Sequence, residues 1–254
     1  MKENIDYKNE ALAALKGNWA PAVLAILVYV GIVLVLLAPY EFKVFTLKDP
    51  TDLAAAKGLM TWFWICLGLM FLVAGPILVG MVNSFKRLLV AGDDRLVSNE
   101  FKIGFGNWLH HFWGYFLKTI LIGLWSLLFL IPGIIKSLSY AMTNYILVDY
   151  PLLSANKAID LSRAMMKNHK YDLFYLYLGF AGWFFLCIFT LGIGYFWLIP
   201  YAQTAQASFY QDVKAEWEAG RTVAAAPASS RPEPVAAPPI REVHEENPED
   251  YMPK

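Results

Sequence analysis

The chain has 254 residues, 57% of them hydrophobic and 17% charged, with a formal net charge of zero. That composition lies outside the range of soluble globular domains, and the zero charge excludes a global attraction to nucleic acid. Cys66 and Cys187 both fall in apolar runs, which excludes a disulfide framework or a cysteine metal site.

The first apolar run covers residues 20–38 and follows Lys2, Lys8 and Lys16. It is longer than most signal-peptide cores, and Ala38-Pro39-Tyr40-Glu41 offers no small-x-small cleavage site, so a retained span is expected. The second run covers 59–81, the third 113–131 and the fifth 172–190. At about 1.5 Å per residue, runs of this length cross roughly 30 Å of hydrocarbon.

Two more polar segments complete the set. Residues 134–149 follow the third run through Ile131-Pro132-Gly133, and 195–212 follow the fifth through Leu191-Gly192-Ile193-Gly194. Such junctions suit tight turns between helices. The pattern predicts an all-α, polytopic membrane helix bundle of about six transmembrane helices in three hairpin pseudo-repeats, within residues 1–217. Four spans with two half-buried or re-entrant helices also satisfy it.

Lys and Arg concentrate in the segments that would be inner if both termini are cytoplasmic, whereas the outer segments hold only Lys43, Lys48 and Lys57. That asymmetry predicts a multi-pass protein of the cytoplasmic membrane with both ends inside. Residues 154–168 read as a cytoplasmic amphipathic helix, with Ser154 as N-cap and Ala155, Ala158, Ile159, Ser162, Met165 and Met166 on one face. It could lie in the headgroup layer or pack under the bundle. Lys157, Arg163, Lys167 and Lys170 are candidate contacts for anionic lipid. Residues 218–254 are rich in Pro and Ala and more acidic than basic, and they are expected to be a disordered tail.

Self-similarity supports three units. A gap-free offset of 56 pairs Pro76 with Pro132, Asp93 with Asp149 and Ser98 with Ser154, where 132 − 76 = 56. Similar phrases precede the odd-numbered spans: Gly17-Asn18-Trp19, Gly106-Asn107-Trp108 and Lys167-Asn168-His169.

The stretch from Ile131-Pro132-Gly133 through Ser154-Ala155-Asn156 to Leu198-Ile199-Pro200-Tyr201 resembles a bacterial integral-membrane family known as domain of unknown function 975. The resemblance runs from about Lys8 to Trp217. A related pattern occurs in the membrane domains of some glycerophosphodiester phosphodiesterases. The resemblance implies fold and location and carries no site residues. Lys157 departs from the Glu expected in that family, so the capping box is incomplete.

No catalytic motif, metal site or nucleotide loop is visible, and no cofactor is expected. Lys136, Tyr140, Asn144, Gln203 and Gln206 could line a polar pathway between the even-numbered helices, or hold those helices together. Lys118 and Lys136 are expected to reach the membrane surfaces along their stems. Adjacent His110 and His111 diverge by about 100° on a helix and suit an interfacial aromatic belt better than a metal. Asp149 and Asp172 fall at expected helix ends. The functional expectation is a non-enzymatic membrane protein contacting lipids or other membrane proteins. The alternative is a small transporter or permease.

Overall fold

A computed structural model describes residues 2–47 and 53–225. The helices in chain order are α1 (Asn4–Leu15), α2 (Trp19–Phe45), α3 (Leu53–Leu69), α4 (Gly75–Ala91), α5 (Leu96–Gly106) and α6 (Trp108–Leu128). They continue as α7 (Leu130–Ser139), α8 (Thr143–Asp149), α9 (Ala155–Met165), α10 (Lys170–Phe189) and α11 (Tyr195–Ala225). A π-helical turn, Met70–Ala74, joins α3 to α4.

Among the described residues, three helical segments are long and apolar enough to cross a membrane: Trp19–Phe45, Ala54–Ala91 and Lys170–Phe189. Leu34, Val35, Trp183 and Phe185 on these segments are exposed, as suits contact with lipid. This is a membrane protein. Length alone would also let α6 cross, but its first turns carry His110, His111 and Tyr115, which dilute its hydropathy.

The expected fourth span is not one helix. It divides into α7 and α8, and the Thr143 amide bonds the Tyr140 carbonyl (3.2 Å). Hydroxyls explain the break. The Ser139 Oγ donates to the Ile135 carbonyl (2.7 Å), while the Ser139 carbonyl accepts from Ser162 Oγ on α9 (2.9 Å). A carbonyl engaged from outside is poorly placed to continue the helical ladder. The π-turn has a related cause. Pro76 has no N–H to offer the Leu72 carbonyl, which instead accepts Trp108 Nε1–H at 2.9 Å. Beyond the expected start of the tail at Glu218, α11 continues to Ala225; the rest of that tail lies outside the described residues.

α4, α8 and α11 form the interior. α4 is buried almost all round, Thr143–Leu147 of α8 are buried, and so are Thr204, Ala205 and Ala207–Tyr210 of α11. By contrast α2 and α6 bury few residues.

The helices α5, α9 and α1 each pack on two or more others. α5 lies against α2 and α4, and α9 against α6 and α8. α1 packs on α10 and α11, with the Tyr7 ring edge-on to Phe209 at 5.4 Å and its hydroxyl donating to Asp212 (2.7 Å). The gap-free offset of 56 is not kept, because α5 and α9 begin 155 − 96 = 59 residues apart. The loop before α9 is the longer one.

Backbones touch most closely between α4 and α5. A Cβ on Gly80 would stand 1.9 Å from the Glu100 carbonyl oxygen, and one on Gly104 would stand 2.8 Å from that of Pro76. Gly80→Ala should therefore lower stability by about 3 kcal/mol, the upper end of ordinary overpacking penalties. Gly31→Ala, which meets nothing within 4 Å, should leave stability unchanged or slightly higher. Thermal unfolding in a mild detergent distinguishes the two.

Candidate functional site

The interior helices meet at one carboxylate. Asp149, the last residue of α8, accepts from Lys86 of α4 through Oδ1. Its Oδ2 accepts from Lys214 Nζ (2.8 Å) and Tyr210 OH (2.8 Å), both on α11. The Asp149 side chain is 15% exposed and that of Lys86 10%. Tyr210 also stacks on Tyr145 with ring centroids 4.6 Å apart. Two lysines and one aspartate leave a local positive excess, softened by the Tyr210 face, which lies 5.6 Å from Lys86 Nζ.

A second polar chain joins α4 and α8 to α6. Asn83 Nδ2 on α4 donates to the Asn144 carbonyl (2.8 Å), and Asn144 Oδ1 accepts from Lys118 Nζ on α6 (2.7 Å). Lys118 thus turns inward instead of reaching a membrane surface. An acceptor within its own bundle competes with water at the surface, and Tyr115 lies under its ammonium at 5.3 Å.

The expected pathway residues have separate surroundings. Lys136 places its ammonium 4.4 Å from the Trp125 ring centroid, on its own hairpin. Tyr140 is buried at the end of α7, and Asn144 is engaged by Asn83 and Lys118. Gln203 keeps a buried Oε1 without a partner, and Gln206 is half-buried.

Of the expected lipid contacts, Lys157 and Lys167 are exposed, and Lys170 is half-buried. Arg163 is exposed and pairs with Asp160 (2.9 Å). The apolar face of α9, built by Ala155, Ala158, Ile159, Ser162 and Met165, is buried on the bundle rather than laid on lipid. Ser154 occupies the N-cap with extended backbone, but its hydroxyl makes no cap bond. His111 Nδ1 lies 3.0 Å from the Gly104 carbonyl, so this ring ties α6 to α5.

Cavities also open among the described residues. One, of about 580 Å³, is apolar and lined by Leu12, Trp19, Trp183, Leu186, Trp197 and Leu198. A smaller one of about 270 Å³ borders the π-turn and is walled by Tyr29, Tyr40, Phe63, Phe71 and Tyr115. The third, of about 580 Å³, lies at the bundle end beside Lys2, Glu10, Lys16 and Gln211. None of the three is lined by Lys136, Asn144 or Gln203.

One residue went unnoticed in the sequence. Glu100 is 0% exposed, and neither carboxyl oxygen has a hydrogen-bond partner. Burial pushes its pKa up to about 8. The available signal was its spacing, since it shares a helical face with Leu96, Ile103 and Gly104.

Residues 127–216 match the family model described as protein of unknown function (DUF975). The matched stretch holds Asp149 and Tyr210 and Lys214, but not Lys86. No curated protein and no solved structure matches the chain.

Asn144→Leu would leave the Lys118 ammonium without its acceptor and should cost about 1.5–3 kcal/mol. Lys136→Met removes a cation–π contact and should cost about 1 kcal/mol or less. Denaturant unfolding of both variants in micelles measures the difference.

Proposed function

We propose that this chain is a non-enzymatic, multi-pass protein of a bacterial inner membrane that engages membrane lipids. The carrying observation is the apolar groove of about 580 Å³ lined by three tryptophans. Its walls include Trp19 of α2 and Trp183, Leu186 and Cys187 of α10, and both helices are apolar enough to cross a membrane. A groove at that level is surrounded by acyl chains, so an acyl chain is its natural occupant. The exposed Lys157 and Lys167, with Arg163 and Lys170 nearby, supply charge for an anionic headgroup.

The reading includes six crossings in three out-and-back pairs with both termini in the cytoplasm. Supporting it, the backbone of Lys2 bonds Asp212 (2.9 Å), and Lys86, Asp149 and Lys214 meet. The chain start and the ends of the returning helices thus gather at one end of the bundle, as paired crossings require. Many of the interior polar side chains bond backbone carbonyls, as Ser84, Ser139, Ser162 and Thr204 do, which supports a structural use over catalysis. The transport reading draws on Gln203 Oε1, Thr143 Oγ1 and Tyr145 OH, which are buried without partners.

Native mass spectrometry of protein released from mild detergent tests the lipid reading. Phospholipid adducts should persist on the wild type and fall severalfold in Leu198→Trp, which fills the groove. Replacing Lys157, Arg163, Lys167 and Lys170 together with Gln should deplete anionic lipid selectively. Adducts unchanged in both variants would refute the reading.

A further inference from the structure

We propose that Glu100 is a proton-binding site whose occupancy holds α5 against α2 and α4. Its side chain is fully buried, and both carboxyl oxygens lack a hydrogen-bond donor. An ionised carboxylate in that setting would lose its hydration with nothing in return, so the neutral acid is the form that fits. The seam around it is tight. Its own carbonyl closes against Gly80, and one turn on Gly104 closes against Pro76. No slack exists for the side chain to reach water while the seam stays shut.

The groups facing the seam offer no compensating cation. α2 presents Tyr29, a hydroxyl that interacts electrostatically with Glu100. α4 carries Lys86, but its ammonium is committed to Asp149. α6 presents His111, held to the Gly104 carbonyl, and Tyr115. On α5 itself, Asn99 Nδ2 donates to Asp93 (2.9 Å), and Lys102 lies toward the exposed side.

Burial pushes the Glu100 pKa up to about 8, against about 4.3 for an unperturbed Glu. Opening the seam exposes the carboxyl, which then releases its proton at any pH between those values. The contribution of the neutral acid is therefore fully present below about pH 4.3, declines as pH rises, and is lost above about pH 8. Over that window, opening of α5 becomes up to tenfold easier per pH unit. A membrane protein built this way loosens one short helix when the compartment on that side turns alkaline.

Two measurements on the full chain in micelles test this. The first is the infrared carbonyl band of the neutral acid, taken as the difference between wild type and Glu100→Gln. It should persist at pH 7 and convert to carboxylate near pH 8. Should Glu100→Gln not fold, Glu100→Met serves as the reference. The second is amide hydrogen exchange of α5, corrected for the intrinsic pH dependence of exchange. Opening should rise with pH in the wild type and stay flat in the substituted chain. A band converting between pH 4 and 5, or equal pH dependence of opening in both chains, overturns the proposal.

Discussion

A single carboxylate, Asp149, ties the interior together. It closes α8 and accepts from Lys86 on α4 and from Tyr210 and Lys214 on α11. Three helices far apart in the sequence are therefore tied at one junction. Partly buried ion pairs are poor stabilisers when compared with an apolar replacement of all members. Removing one member alone is another matter, because it strands the opposite charge. The junction therefore fixes which helices lie next to one another more than it adds net stability. Lipid-facing packing offers little such discrimination, since tails and leucines are alike to a helix surface.

The short helices complete the arrangement. α5 lies on α2 and α4, α9 on α6 and α8, and α1 on α10 and α11. The last contact joins the start of the chain to its final helix. Small residues make the contact between α4 and α5 possible, since Gly80 and Gly104 let backbones approach where any side chain would collide. Hydroxyls serve elsewhere, as in the Ser162 bond to the Ser139 carbonyl. That bond both seats α9 and breaks the helix beneath it.

The long apolar runs were legible because length and hydropathy are local properties. Those at 20–38 and 59–81 lie within segments apolar and long enough to cross, and all but the last residue of 172–190 lies in a third. The division of α7 from α8 was not legible, because it depends on a serine 23 residues further along. Nor was the inward turn of Lys118, whose acceptor Asn144 lies 26 residues away. A lone Glu on a short helix, as Glu100 is, reads as a solvated face, and its spacing from Leu96 and Ile103 becomes decisive only with α4 packed against it. The continuation of α11 past Glu218 has a local cause. Lys214, Ala215, Glu216, Glu218 and Ala219 are strong helix formers, and the proline-rich composition begins later.

The polar junction and the apolar groove differ in chemistry: polar groups tie the helices to one another, and the groove is walled by aromatic and aliphatic side chains. The central claim is that Asp149 couples α4 and α11 through α8. Double-mutant cycles pairing Asp149→Asn with Lys86→Met, and Asp149→Asn with Lys214→Met, measure that coupling by reversible unfolding in micelles. The account predicts interaction energies of about 1–3 kcal/mol in each cycle. Additivity of both pairs within about 0.5 kcal/mol would contradict it.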